Sequence, residues 1–122
     1  MGFIANVNQQ SRDNTYFRRV LDTGEHTQVV IMHIPAGGEI GSETHADNDQ
    51  VLYLLDGKGK AILSGQEYDY NTGDVVLVPA GTEHNFVANP DSYLKIITTY
   101  SPPHHPANTV HQTKADAEKA DY

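Results

Sequence analysis

The stretch GDVVLVPAGTEH, residues 73–84, decides the fold because a short aliphatic run ends there at Pro-Ala-Gly and a histidine follows. Similar runs, rich in Val, Ile, Leu, Tyr and Thr and separated by Gly, Pro, Asn or Asp, recur along the chain with almost no helical periodicity between them. This spacing predicts an antiparallel β-sandwich or β-barrel. The predicted strands are Thr27–Ile34, Gln50–Leu55, Lys60–Ser64, Asp74–Val78, His84–Ala88 and Tyr93–Tyr100.

With 122 residues the chain has the length of one domain, and the prediction is a single domain over 1–122 with its barrel core at about 16–100. The residues before Tyr16 are polar and predict an N-terminal arm. Asp56-Gly57 predicts a hairpin turn between two strands. The Pro- and His-rich tail, 101–122, contains Thr113 and Asp116 in the pattern of a capping box, which predicts a short helix.

Composition excludes several classes of function. The 16 acidic and 8 basic side chains give a formal net charge of −8, which argues against nucleic acid and membrane surfaces as partners. The chain contains no cysteine, which excludes disulfides, thiolate metal sites and thiol nucleophiles. No apolar run is long enough to span a membrane and no secretory pattern opens the chain, so the expected location is the cytoplasm.

Glycines and prolines surround two of the seven histidines in regular frameworks. The first framework is Gly37-x5-Glu43-x-His45-x4-Gln50-x6-Gly57, and the second is Gly73-x5-Pro79-x-Gly81-x2-His84. Glu43 and His45 are two residues apart, so on an extended strand both side chains point to the same face.

These two frameworks resemble the two sequence motifs of the cupin family, in detail over residues 35–88. The second motif fits at every position compared, whereas the first departs at two ligand positions. Glu43 stands where the family has a histidine, and Gln50 stands where it has a glutamate. The resemblance implies an all-β cupin jelly roll, a double-stranded β-helix, in a small single-domain chain similar to those grouped as mannose-6-phosphate isomerase-like.

By position, the resemblance also implies a metal site. In the family these four positions bind a divalent metal inside the barrel, and here they are Glu43, His45, Gln50 and His84. Two imidazoles and one carboxylate suit a transition metal, namely Fe, Mn, Zn, Ni or Co. Glu43 could instead be an exposed loop acid, and Gln50 could be a buried amide that hydrogen-bonds to the backbone or to water.

Three further histidines have both a functional and a structural interpretation. His33, on the first predicted strand, is a candidate catalytic residue that would shuttle protons opposite the metal, although a partly buried and hydrogen-bonded histidine is the commoner outcome. His104 and His105 follow two prolines and could fold over the barrel mouth, but exposed tail residues are the expectation.

Three functions follow from this set of residues. The first is a metal-dependent enzyme that acts on a small polar substrate, a sugar or an organic acid, as in isomerisation. The second is a non-haem iron dioxygenase, which the cupin resemblance also implies. The third is a non-catalytic module that binds a small ligand. The unpaired strand edges of a jelly roll, together with the polar arm, also predict a homodimer.

Overall fold

A computed structural model describes residues 2–120; Met1, Asp121 and Tyr122, which the single-domain prediction includes, lie outside the described residues. Within that range the chain forms two short helices and eight strands. In chain order they are α1 (Val7–Asp13), β1 (Arg18–Thr23), β2 (Gln28–Ile34), β3 (Asp49–Leu63), β4 (Gln66–Asn71), β5 (Val75–Val78), β6 (His84–Ala88), β7 (Leu94–Ser101), β8 (Val110–His111) and α2 (Lys114–Ala120).

The strands pair throughout as antiparallel neighbours, in the order β4-β3-β7-β2-β1-β8. β3 is the longest strand, and its two halves pair with different strands. Its first half pairs with β5 and β7, and its second half pairs with β4 and β6. The predicted all-β jelly roll is therefore confirmed.

The hairpin predicted at Asp56-Gly57 is wrong, because β3 continues through it as one strand. The register of β3 against β7 shifts between Leu54 and Asp56, which marks a β-bulge. Glycine is needed at position 57 for another reason: its φ is +126°, and a Cβ there would lie 1.9 Å from the Tyr93 carbonyl oxygen. The two strands predicted on either side of the turn are the two halves of β3.

The other predicted strands are confirmed to within one residue at each end. The prediction missed β1, β4 and β8, whose residues are more polar; β4, for example, is almost wholly exposed. It also missed α1 within the polar arm, where the Asn6 side chain caps the helix by accepting from the Gln9 N–H at 3.1 Å. The short C-terminal helix is confirmed, with the Asp116 N–H donating to Thr113 Oγ1 at 3.1 Å.

The core lies between the inward faces of the strands, where side chains alternate with outward-facing ones. On β3, Leu52 and Leu54 are fully buried on the same face as Gln50, while Tyr53 is exposed on the other face. Strand alternation therefore delivers Gln50 to the interior. Across residues 2–120, neither helix has the length and apolar character needed to cross a membrane.

Candidate metal centre

Backbone hydrogen bonds join the two stretches that carry the sequence motifs. Glu43, in the loop before β3, and His84, at the start of β6, form an antiparallel bridge in which each N–H donates to the other carbonyl at 2.9 Å. Asn85 fixes the loop further, because its Oδ1 accepts from the Gly41 N–H at 2.9 Å. Residues directly opposite in an antiparallel pair share a face, so the side chains of Glu43 and His84 are neighbours.

His45 completes a group of three on this face. It lies two residues after Glu43, and its Nε2 is 3.1 Å from Glu43 Oε2. Its ring centroid lies 5.1 Å from that of His84, and both rings are buried. The His45 carbonyl also accepts from the Gly81 N–H at 2.8 Å. The three side chains therefore converge, as the spacing of Glu43 and His45 and the resemblance of the two motifs together imply.

The His84 ring has a fixed orientation. Its Nδ1 lies 2.9 Å from the Thr82 carbonyl oxygen, and because a carbonyl can only accept, Nδ1 carries the proton. Nε2 is then left with its lone pair, and a backbone carbonyl that orients a histidine in this way is the usual second partner of a metal ligand.

Burial and charge set the protonation states of this group. Burial alone raises the pKa of Glu43, but the hydrogen bond and charge of His45, with the more distant charge of Arg18, outweigh it and lower that pKa. Burial lowers the pKa of His84, against the opposing hydrogen bond to Thr82. At neutral pH the group therefore holds a carboxylate and a neutral His84 imidazole, which are the forms that bind metals.

Gln50, the fourth predicted ligand, lies on the inner face of β3 and is 3% exposed. Its Nε2 donates to Thr98 Oγ1 at 3.1 Å, whereas its Oε1 is buried without a hydrogen-bond partner among the described residues. An unsatisfied buried oxygen costs about 1–3 kcal/mol. A cation or a ligand donor that reached Oε1 would remove that cost, and this suits the predicted role of Gln50.

The chemistry and spacing of these donors fit a divalent transition metal. Two ligands bonded to one metal at about 2.1 Å stand roughly 3 Å apart, which matches the distance between Glu43 Oε2 and His45 Nε2. No group of three His, Cys, Asp or Glu side chains in residues 2–120 is yet arranged closely enough to hold a metal as it stands. The donors are brought together but not closed around one point.

His33 does not join this group. Its neighbours on β2, Met32 and Ile34, face the core, so alternation places His33 on the outer face of the sheet. There its Nδ1 lies 3.2 Å from Lys95 Nζ, and its ring centroid is 5.6 Å from that of Tyr93. The structural interpretation, a partly buried and hydrogen-bonded histidine, describes what is found.

The tail histidines, by contrast, do fold over the barrel mouth, so the expectation that they are exposed is wrong. His105 is 5% exposed and His104 is half-buried. The His104 ring stacks on Tyr100 and lies 4.4 Å from the His45 ring, centroid to centroid. His104 Nδ1 is 3.2 Å from Asn48 Oδ1, which leaves its Nε2 as the lone-pair nitrogen.

The side chain of Gln28 holds the tail against the sheet by hydrogen-bonding to its backbone N–H and carbonyl groups, as a neighbouring strand would. Its Oε1 accepts from the backbone N–H groups of His104 and His105 at 3.2 and 3.1 Å, and its Nε2 donates to the His105 carbonyl at 2.7 Å. The only sequence signal for this fold-back is the pair of prolines after β7. It marks where the strand must stop but not where the tail goes.

A cavity of about 540 Å³ opens beside the three converging side chains. Its wall includes a buried arginine, two of the three ligand candidates of the first motif, a histidine of the tail and a lysine of α2. These residues are Arg18, Glu43, His45, His104 and Lys114. The volume suits a small molecule rather than a polymer.

The model of the cupin domain family matches residues 30–100, which include both motifs. The chain is 40% identical over 126 residues to the uncharacterized protein YrkC of Bacillus subtilis, covering 98% of this chain and 67% of YrkC. The chain is also similar to the crystal structure of BH2720 from Bacillus halodurans, with a TM-score of 0.94 and 36% sequence identity. This alignment covers 98% of this chain and 95% of the BH2720 chain.

A shorter similarity connects the chain to an enzyme. Over 64 residues it is 31% identical to quercetin 2,3-dioxygenase of Bacillus subtilis, a match that covers 52% of this chain and 19% of that protein. The family match extends over more than half of the chain and over both stretches that build the candidate metal centre. This chain therefore belongs to the cupin family.

Proposed function

We propose that this cupin binds a divalent transition metal through Glu43, His45 and His84 and acts on a small polar molecule in the adjoining cavity. The observation that carries the proposal is the backbone bridge between Glu43 and His84, with His45 Nε2 at 3.1 Å from Glu43 Oε2. The bridge brings Glu43 and His84 side by side, His45 lies next to Glu43, and Glu43 and His45 line the cavity.

The donor set suits Fe(II), Mn, Co, Ni or Zn, and the unsatisfied Oε1 of Gln50 is an available fourth oxygen. When bound, such a metal would polarise a carbonyl or hydroxyl oxygen of the substrate. His104 is the group best placed to move a proton, because Asn48 occupies its Nδ1 and leaves Nε2 free to accept one near the cavity.

This arrangement favours proton transfer next to a polarised oxygen, as in an isomerase of the mannose-6-phosphate isomerase-like kind. One face of the His104 ring is covered by the fully buried Tyr100 of β7, on which it stacks, and this keeps water from that face. Burial lowers the pKa of His104, with a further contribution from His45, so the ring is neutral and able to accept a proton at neutral pH.

Metal content and solvent exchange test the proposal together. Protein purified without chelator should carry close to one metal per chain by elemental analysis, and His45→Ala should lose it. His26→Ala is the matched control, because that side chain is 87% exposed. Loaded protein should also catalyse deuterium uptake from heavy water into a small hydroxy or keto substrate, and His104→Gln should lose that exchange while keeping the metal. If the parent protein binds no metal even when metal is supplied in excess, the result would instead support a non-catalytic ligand-binding module.

A dioxygenase is the second candidate, because of the similarity to quercetin 2,3-dioxygenase. Two histidines and a carboxylate leave coordination positions on a non-haem iron for other molecules. Oxygen uptake by the iron-loaded protein in the presence of a substrate would distinguish this function from isomerisation. Turnover by zinc-loaded protein without oxygen consumption would exclude it.

We also propose that the chain forms a homodimer. Tyr53, Val75 and Leu77 lie close together on the outer face of the paired strands β3 and β5 and are 38–63% exposed. An exposed apolar patch of this kind favours association. Light scattering should give the mass of a dimer, and Leu77→Asp should shift it to that of a monomer, whereas a monomeric parent would contradict the proposal.

A further inference from the structure

Arg18 is a buried cation at the wall of the cavity. It lies at the start of β1 with its side chain on the inner face, and it is 4% exposed. It lines the same cavity as Glu43, His45 and His104. Arginine is rarely buried to this extent unless an anion or several acceptors pair with it.

The partners that Arg18 has do not neutralise it. Its Nη1 lies 3.2 Å from His111 Nδ1, and the Tyr100 hydroxyl is a further polar neighbour. Its Nε is buried and has no hydrogen-bond partner in the described part of the chain, residues 2–120. Among the ion pairs of residues 2–120, none places a carboxylate within 4.0 Å of this guanidinium.

Lys114, the other cation at the cavity, is different. Its Nζ lies 3.9 Å from Glu39 and 3.8 Å from Glu118, so two carboxylates of the chain already balance it. Glu43 feels the charge of Arg18, but its carboxylate is engaged by His45 at 3.1 Å. Among residues 2–120, carboxylates therefore pair with Lys114 and with His45, whereas none forms an ion pair with Arg18.

We propose that the missing counterion is a carboxylate group of a small organic acid, bound in the cavity by the Arg18 guanidinium. A guanidinium presents paired N–H donors that match the two oxygens of a carboxylate, and such contacts are among the strongest hydrogen bonds in proteins. A single arginine suits one carboxylate better than a phosphate ester, which usually takes several cationic contacts. This assignment rests on the proposed function for its site, and it narrows the substrate from polar molecules in general to organic acids.

The charges of the cavity support an anionic ligand. Two cations, Arg18 and Lys114, and two acids, Glu43 and Glu118, line the cavity, so the formal charges of its wall sum to zero before any metal binds. A divalent metal at the motif residues adds two positive charges. The cavity then attracts anions even though the whole chain has a formal charge of −8.

Calorimetric titration of the full chain with malonate tests the proposal, with malonamide as the uncharged analogue of nearly the same shape. The chain is first freed of metal with a chelator, so that malonate cannot bind through a metal. Malonate should bind at least about tenfold more tightly than malonamide. Arg18→Gln should weaken malonate at least about tenfold and leave malonamide unchanged. Arg19→Gln, which removes the exposed arginine next in the chain, should leave both unchanged.

Arg18→Lys provides a folded alternative if Arg18→Gln does not fold, as judged by circular dichroism. It keeps the charge but loses the paired donors, so malonate should bind to it with intermediate affinity. No malonate binding by the parent, equal binding of malonate and malonamide, or equal effects of the Arg18 and Arg19 variants would overturn the proposal. Metal content measured on the same proteins reports separately on the proposed function: metal without selective malonate binding refutes only the arginine site, and selective malonate binding without metal refutes only the metal site.

Discussion

Glu43, His45 and His84 form a group whose backbone is paired to a neighbouring strand or turn, and Glu43 and His45 line the cavity. His104 instead reaches the cavity from a tail that side chains hold in place. The first group, which we call the barrel side, depends on backbone hydrogen bonds between the two motifs. The tail side depends on Gln28, Asn48 and the stacking of His104 on Tyr100. The two sides face each other at the contact between His45 and His104.

The difference decides which side a sequence can reveal. On the barrel side, the spacing of residues within each motif fixes the turns, and β-pairing then brings the motifs together. On the tail side, the partners of His104 are 56 and 76 residues away in the chain, and no local pattern marks Gln28 as the residue that will hold the tail. The tail side is therefore visible only in the folded chain.

The largest expected effect belongs to the strand framework of the barrel side. Gly57→Ala should lower the free energy of unfolding by about 3 kcal/mol or more, because its φ is +126° and the new Cβ would meet the Tyr93 carbonyl at 1.9 Å. Gly65→Ala is the control, since Gly65 has φ of +81° with open space around it. Gly65→Ala should lower the free energy of unfolding by only about 1–2 kcal/mol, which is the cost of placing a residue with a Cβ at positive φ. Equal losses in urea denaturation would contradict the close-approach explanation.

The next effect separates the tail side from the barrel side. Gln28→Leu removes three hydrogen bonds to the tail backbone and should cost about 3 kcal/mol of unfolding free energy. It should also expose the tail to limited proteolysis after residue 100 while the barrel stays intact. Gln66→Leu, on the exposed edge strand β4, is the matched control and should change little. A tail that stays resistant in Gln28→Leu would show that it has other anchors.

Several features of the fold were predicted and others were not, for physical reasons. Strands that are buried on one face carry an apolar run, so β2, β5, β6 and β7 were found from their composition. β4 was missed because an exposed edge strand with the sequence QEYDYN has no apolar face. The prediction of a hairpin turn at Asp56-Gly57 was wrong because a glycine can be required either in a tight turn or where two backbones approach closely. The sequence alone does not distinguish these two requirements.

The candidate site shows the same division. Spacing placed Glu43 and His45 on one face, and the resemblance to the family motifs added His84 and Gln50 to the same site. Gln50 does lie on the inner face of β3. His33 is also a histidine on a strand, but its position in β2 places its side chain on the outer face of the sheet. A shift of one residue along a strand moves a side chain to the other face, so residue type alone did not exclude it. Arg18 gave no signal, because an arginine in a polar segment is nearly always exposed and only its burial makes it unusual.

Metal affinity tests whether the barrel side binds the metal without the tail. His84→Ala should weaken binding of Zn²⁺ or Mn²⁺ by about 100-fold or more, because it removes one of the three proposed ligands. His104→Ala should weaken it less than about tenfold, as expected for a residue near the proposed metal site but outside the proposed donor set. Competition with a chromogenic chelator measures both, with His26→Ala as the control. Equal losses in the two variants would make His104 a ligand and join the two sides into one centre.

The smallest expected effect is on the pH dependence of the free energy of unfolding, and it comes from His105 in the tail. Burial, with the charge of Arg18 and neighbouring histidines, lowers the pKa of His105 to about 2. In the unfolded chain the same residue titrates near 6.5. Below that pH the unfolded chain therefore binds a proton that the folded chain does not. The free energy of unfolding should fall as the pH decreases from about 6.5, by roughly 1 kcal/mol per pH unit for this residue.

Replacing the residue tests this source of acid sensitivity. His105→Asn cannot take up the proton, so urea denaturation between pH 6.5 and pH 5 should show a slope that is smaller by roughly 1 kcal/mol per pH unit. His26→Asn, at an exposed turn, should keep the slope of the parent. The pKa values of His84 and His104 are also lowered by burial, so a reduced slope remains in His105→Asn. If the slope did not change, the acid sensitivity would belong to the barrel side, and the tail would contribute to the cavity without contributing to its pH dependence.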